Sequence, residues 1–298
     1  MIRLPPFVFA VMANLFWAGN AIAGKLAAGQ IPPLSLNFWR WSCAALILAP
    51  FVARRSWQYR QWFWTHKGLV LALSVLSVTL YNTIQYLALK YTSPGNVGIV
   101  TAMIPVIILI MNSLIFRHRP SQRQMAGILL ALTGVVYMLT GGRFTELQIN
   151  RGDAVMILSV LSFAAYSVLL QKVPQQIDTG ALLFVLMLVG IVCMSPVYVY
   201  ELSQGGHWDM GRANNWLVLL YVATFPSIGS YFCWNIAIKR GGSVLTGLSI
   251  NLLPVFAMIF AWLLLDDPIA MTQLIAVLLI FSGIYVAIKR KGVSGKTI

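Results

Sequence analysis

Charge is scarce in this chain. Asp, Glu, Lys and Arg make up 9% of its 298 residues, where a globular domain carries about 25%. Acid is scarcer still: the seven carboxylates are Glu146, Asp153, Asp178, Glu201, Asp209, Asp266 and Asp267, and the three histidines are His66, His118 and His207. All of them fall in connecting stretches or at the ends of apolar runs, so no carboxylate or imidazole sits in the middle of one. A proton-coupled exchanger of lipophilic cations needs a buried acid that trades its proton for the cargo, and that class is disfavoured. A membrane-embedded enzyme needs a nucleophile with its base, an acid pair or a metal cluster, and the scattered His and loop-bound Asp offer none. No cofactor is implied. Cys43, Cys193 and Cys233 are odd in number, lie in apolar segments and lack CxxC spacing, which reads as free packing residues and not as a disulfide or metal set. Long polar stretches are also missing. The longest connections, 53–67 and 201–215, leave no room for a soluble domain, and Trp57, Trp62 and Trp64 in the first read as interfacial anchors.

Hydrophobic residues fill what charge leaves, at 59% of the chain. Ten apolar segments of roughly 17 to 25 residues appear, each able to cross ~30 Å of hydrocarbon at ~1.5 Å per residue. They are 5–27, 34–52, 68–89, 96–116, 125–140, 154–170, 180–200, 216–238, 244–265 and 271–288. The expectation is an all-α integral membrane protein in which the first segment is a helix and not a cleaved signal, because no small-x-small site closes it. The net charge of +14 then reports basic cytoplasmic loops. Nucleic acid is not a partner, since no basic run is interleaved with a groove-reading element. With the N-terminus inside, fifteen Lys and Arg fall in the cytoplasmic connections and tails, five on the opposite side, and Arg40 within a span. Both termini should therefore face the cytoplasm.

The chain also repeats itself. Shifting it by 149 residues lays Gly98 on Gly247, Pro105 on Pro254, Val106 on Val255, Leu114 on Leu263 and Gly134 on Gly283. The reading is two five-helix repeats, 1–141 and 152–290, with 291–298 as a cytoplasmic tail. Five is odd, so the second copy enters the membrane upside down and the two enclose a cavity at their interface. Proline removes a backbone donor and bends a membrane helix, so Gly98, Pro105, Gly247 and Pro254 are expected to act as matched gates.

Polar residues inside spans point to a cavity or to a partner helix. The first span offers Trp17 and Asn20, the third Tyr81, Asn82 and Gln85, and the fourth Thr101. The sixth carries Tyr166, the eighth Ser230, Trp234 and Asn235, and the ninth Asn251. An offset of 146 sets Trp17 opposite Phe163 and Asn20 opposite Tyr166, an aromatic face plus a polar group in each half. These twelve form the candidate substrate-contacting set. Ser162, Ser167, Ser227 and Ser249 read first as structural, because serine in a membrane helix commonly bonds to its own backbone. The amides stay open between interhelical bonding and substrate contact. Arg40, ~10 Å into its span, either snorkels outward or attracts a substrate carboxylate.

Several of these residues also carry a resemblance. Phe16-Trp17-Ala18-Gly19-Asn20 with Lys25, then Pro33, Arg40, the stretch from Tyr86 to Ser93 and the Pro105 helix resemble the first repeat of an EamA-type drug/metabolite transporter. Gly152-Asp153, Trp234-Asn235-Ile236-Ala237 and Leu253-Pro254-Val255-Phe256 with Gln273 and Gly283 are similar to its second repeat. The ten-helix form looks closest to YddG-like bacterial exporters of aromatic amino acids. That resemblance implies an inner-membrane exporter of small metabolites, amino acids foremost, whose first, third, fourth, sixth, eighth and ninth helices line the cavity while the fifth and tenth stay peripheral. Other metabolites or drugs are the alternative cargo, with membrane lipids the surrounding partner. The chain departs from the pattern where Asp266-Asp267 in the second copy meets Arg117-His118-Arg119 in the first. Topology reporters fused after Lys296 or inserted near Gln122 should read cytoplasmic, and one near Gly206 external; any swap among the three breaks the inverted-repeat reading.

Overall fold

The computed structural model describes residues 4–27, 31–117, 120–144, 150–206, 211–266 and 268–288. The expected tail 291–298 lies outside them, as do His118, Arg119, Glu146, His207, Asp209 and Asp267. Ten long helices follow one another: α1 (Pro6–Ala27), α2 (Pro33–Gln58), α3 (Lys67–Ala88), α4 (Asn96–Phe116), α5 (Gln122–Thr140), α6 (Arg151–Lys172), α7 (Thr179–Ser203), α8 (Ala213–Gly241), α9 (Ser243–Leu264) and α10 (Met271–Ile288). Among the described residues there is no strand. Nine of the ten are long and apolar enough to cross a membrane, and α1 adds the apolar stretch Pro6–Asn20.

Helices overrun the apolar segments where polar residues cap them. Ser121 accepts from the Gln124 N–H while Gln124 Oε1 accepts from the Ser121 N–H, and this capping box starts α5 before its first apolar residue. Asn150 and Asp153 form the same box at the start of α6. The longest difference is α2, which continues past position 52 through Arg54 and Arg55 to Gln58 and is followed by the short helix Arg60–Thr65. Nothing in that stretch breaks a helix, and cations suit a helix C-terminus.

Departures from regular winding come in matched pairs. Pro105 and Pro254 have no N–H to give the carbonyls of Thr101 and Ile250, so both helices are interrupted there. In α4 a turn at Ala102 and Met103 separates the helical pieces Pro94–Thr101 and Ile104–Phe116. In α9 the 3-10 turn Ser249–Leu252 separates Ser243–Leu248 from Leu253–Leu265. Each of α3 and α8 holds seven residues of π-helix, Val75–Tyr81 and Ala223–Gly229. Both α4 and α9 end on a residue other than glycine in the left-handed region, Arg117 and Asp266, each at φ 53° and 149 positions apart. The Ser121 N–H bond to Gln124 Oε1 recurs as Ala270 N–H to Gln273 Oε1, both at 2.9 Å and at the same offset.

Two cores result. The larger joins α1, α2, α3, α4, α6, α7 and α8 around the fully buried Trp41, Phe163, Tyr166, Tyr231 and Trp234. The smaller lies where α5 and α10 pack side by side against α4 and α9. In that antiparallel pair the backbones touch: a Cβ on Gly127 would stand 2.5 Å from Gly283 O and Ala287 N, and one on Gly134 2.9 Å from Ala276 O. The 149-residue offset exchanges these contacts, carrying Gly127 to Ala276 and Gly134 to Gly283. Replacing Gly127 by Val should cost about 1–3 kcal/mol through overpacking and lower the thermal midpoint in detergent. Gly68→Ala, where a Cβ meets nothing within 4 Å, should leave the midpoint unchanged or raise it.

Candidate functional site

Pro226 begins the site. It lies inside the π stretch of α8 and cannot donate to the Val222 carbonyl. Ser227 does so instead, its hydroxyl giving a 2.7 Å bond to Val222 O, and Ser227 Oγ accepts from Arg40 Nε at 2.9 Å. The Pro226 carbonyl in turn takes the Trp17 indole N–H at 3.1 Å. One break in α8 thus orients the two side chains, one cationic and one aromatic, that define the cavity. The π stretch of α3 works the same way: Leu76 O accepts from Ser162 at 2.8 Å, Tyr81 O from Ser159 at 2.6 Å, and Ser77 O from Tyr231 at 3.3 Å. Side chains of α6 and α8 thus add cross-helix bonds to carbonyls of this stretch. Ser227 and Ser249 bond within their own helices, as expected of structural serines. Ser162 instead ties two helices together, and Ser167 accepts the Trp234 indole N–H at 3.2 Å.

These contacts enclose a central cavity of about 90 Å³ among α1, α2, α3, α4, α6 and α9. Its polar lining is Asn14, Asn20, Asn82, Gln85, Thr101 and Arg40, and Trp17, Tyr81, Phe163, Ile250 and Leu253 supply the apolar remainder. Phe163 lies between Trp17, edge-on with centroids 5.6 Å apart, and Tyr81, tilted at 4.6 Å. Several waters fit such a volume, whereas small-molecule sites run to about 300–1,000 Å³. A ring-bearing solute therefore requires the cavity to widen.

Seven of the twelve expected residues, Trp17, Asn20, Tyr81, Asn82, Gln85, Thr101 and Phe163, line this cavity. Five do not. Tyr166 and Asn235 are fully buried and bonded to each other, Tyr166 donating to Asn235 Oδ1, and Ser230 donates to Ala13 O at 3.0 Å. Trp234 stands one layer behind Trp17, its ring 5.3 Å away. Asn251 sits on the 3-10 turn of α9 at 0% exposure with neither end of its amide hydrogen-bonded to a described residue. Asn14 joins the lining unforeseen. Its spacing of three to Trp17 placed it on the Trp17 face of α1, and its amide donates to Ala10 O and Ser249 Oγ, each at 2.8 Å.

Arg40 does not snorkel. It is 2% exposed, with its guanidinium carbon 5.3 Å from the Trp41 ring centroid. The face of α2 that carries it also carries Leu36, Asn37, Trp41 and Ala44, all buried against the bundle, so its stem leads inward and not to the lipid face.

The breaks flank the cavity. A Cβ on Gly98 would lie 2.9 Å from Leu139 Cδ1 and one on Gly247 2.7 Å from Ile108 Cδ1, so both glycines let a neighbouring helix approach. Pro105 is buried, while Pro254 and Gly98 line a recess of about 360 Å³ beside Met138, Leu139 and Gln273. At the opposite end of the α5·α10 pair a recess of about 670 Å³ is lined by Gln124, Ala287 and Ile288, the residues that the 149 offset assigns to Gln273, Met138 and Leu139. Polar latches close the bundle at each end. Asp153 takes the Thr92 hydroxyl at 2.5 Å and the Asn96 amide at 3.1 Å, and Gln171 donates to Asn112 at 2.9 Å and to Ser243 at 2.8 Å. A further recess of about 880 Å³, between the end of α2, the short helix, α3 and α7, is apolar with Arg60 and Lys67 among its lining.

A family model described as the EamA-like transporter family matches residues 4–140 and 150–289. Similar proteins include an uncharacterised transporter of Bacillus subtilis (strain 168), YyaM, 24% identical over 96% of this chain and 94% of that protein. An uncharacterised transporter of Archaeoglobus fulgidus is 27% identical over 92% of this chain and 94% of its own length. A probable amino-acid metabolite efflux pump of Escherichia coli (strain K12) is 22% identical over 94% of this chain and 93% of its own. A solved crystal structure superposes with a TM-score of 0.78 at 19% identity, covering 95% of this chain and 96% of the other, a likeness of fold alone.

Burial separates two kinds of amide. Asn235→Ala strands the Tyr166 hydroxyl and should cost about 1–3 kcal/mol, read as a lower thermal midpoint in detergent. Asn20→Ala, at the cavity wall, should shift the midpoint far less; equal losses would contradict this division.

Proposed function

The chain belongs to the EamA-like transporter family, and from that premise we propose that it exports small metabolites, above all neutral and aromatic amino acids, across the inner membrane by alternating access. The observation that carries the reading is the central cavity, where amides and one cation face three aromatic rings beside two broken helices. Amide and guanidinium groups suit a zwitterionic head, and Trp17, Tyr81 and Phe163 suit an apolar ring. The similarity to a probable amino-acid metabolite efflux pump points the same way. We assign no catalytic role, and both termini are placed in the cytoplasm on the charge asymmetry of the connections.

In this reading the halves 1–141 and 152–290 are inverted copies, and the broken helices α4 and α9 are equivalent gates at opposite ends of the path. The cavity lies towards the end where α1 finishes and α2 starts, which the charge asymmetry makes the external side. The latch of Gln171, Asn112 and Ser243 then holds the cytoplasmic end shut, and the latch of Asp153, Thr92 and Asn96 ties α3 and α4 to α6 at the external end. No titrating carboxylate is required within the membrane.

Counterflow in proteoliposomes against all twenty amino acids tests the substrate, with exchange expected for aromatic and other neutral members. No exchange for any of them would overturn the amino-acid assignment. Labelling of single cysteines from each side tests the gates: Pro105→Ala and Pro254→Ala should bias the exposed face in opposite directions, and a shared bias would overturn paired gating. Asp178 and Asp266 serve as controls, since neutralising either singly should leave flux within about a few-fold.

A further inference from the structure

We propose that Arg40 is the carboxylate receptor of the central cavity, so that the solute carried is one bearing a carboxylate together with an apolar ring. The assignment rests on the cavity being the transport site and goes beyond it by fixing the chemical class and the residue that selects it.

Arg40 is a buried cation whose only hydrogen bond to a described residue uses Nε, donated to Ser227. Its planar terminal nitrogens, the pair that matches a carboxylate, are left for something else. No described acid supplies the counter-charge. Of the described acids, Asp153 is engaged by Thr92, Asn96 and the Asn150 N–H, and Asp178 by Arg55 and the Ala181 N–H. Glu201 caps the start of α2 by accepting from Leu34 N–H, Ser35 N–H and the Ser35 hydroxyl. That places it about 8 Å along the helix axis from Arg40. Asp266 terminates α9. The single ion pair among the described residues is Arg55 with Asp178.

A cation held away from lipid, charged and without an acid beside it is disfavoured unless a partner enters the cavity. The ring of Trp41, 5.3 Å from the guanidinium carbon, offsets part of that cost without using the in-plane donors. Geometry leaves a carboxylate as the fitting partner, because the same cavity presents Trp17, Tyr81 and Phe163 for the rest of the molecule and Asn20, Asn82 and Gln85 for a neighbouring polar group. The converse also holds. An organic cation without a carboxylate meets a like charge in a cavity with no acid among its described lining residues, so lipophilic amines are rejected.

The test is competition of L-phenylalanine counterflow in proteoliposomes by 3-phenylpropionate, phenylalaninamide and phenethylamine. In the wild type, 3-phenylpropionate should compete and the two carboxylate-free amines should not. In Arg40→Gln, half-inhibition by 3-phenylpropionate should need about tenfold more compound or worse, Arg40→Lys should restore part of the loss, and the amines should gain ground. Equal competition by the amide and the acid in the wild type overturns the receptor and leaves the transporter reading standing. That comparison needs no variant and survives a misfolded Arg40→Gln. If phenylalanine shows no counterflow, the aromatic part of the amino-acid reading fails by itself, and the receptor is tested by thermal shift of the detergent-solubilised wild type with 3-phenylpropionate. A stabilisation that Arg40→Gln loses sustains the receptor, and the absence of stabilisation overturns it.

Discussion

Every backbone carbonyl that loses its helical partner inside this bundle must find a donor within the protein, because lipid offers none. The interior architecture follows from that demand. Pro226 leaves Val222 O without a donor, Ser227 supplies one, and the serine oxygen then holds Arg40 at the cavity wall. The carbonyls of the π stretch in α3 draw Ser159, Ser162 and Tyr231 towards it from α6 and α8. The cavity exists where helices are irregular, and they stay irregular because neighbouring side chains satisfy what the irregularity exposes.

The two halves share backbone more faithfully than side chains. The breaks in α4 and α9, the π stretches in α3 and α8, the left-handed residues Arg117 and Asp266 and the Gln124 and Gln273 caps all recur. The side chains at these places have diverged in charge and size: Arg117 against Asp266, and Ala102 in one break against the fully buried Asn251 in the other. Gly152 abuts Thr92 beside the Asp153 latch, while the matching close approach, Gly241 against Pro6, has no acid beside it. Two ends with the same backbone breaks are therefore tied by different side chains, Asp153 with Thr92 and Asn96 at one and Gln171 with Asn112 and Ser243 at the other.

Charge is the quantity this fold spends most sparingly. The described acids stand at helix termini, where N–H groups or hydroxyls bind Asp153, Asp178 and Glu201, and Arg40 remains as a buried cation at the cavity. In the proposed reading the neutral amides of the cavity supply its polarity and Arg40 its fixed positive charge, so no proton need move for a zwitterion to bind.

Much of this was legible in the chain by itself. Apolar runs of span length dictated ten helices, because any other backbone would strand its polar groups in lipid. The 149-residue offset marked both broken helices, since proline interrupts winding wherever it stands. Packing decided which polar residues face the cavity. Successive side chains on a helix are ~100° apart, and in a membrane protein lipid-facing, core and lining positions are all largely apolar. Hydropathy thus carries little record of how each helix is turned about its axis. Asn20 and Asn235 look alike in sequence, yet one reaches the cavity and the other is taken by Tyr166. Arg40 shows the same limit: ~10 Å of helix permits a long side chain to run either way, and only its neighbours on the buried face of α2, with Ser227 waiting on α8, turned it inward.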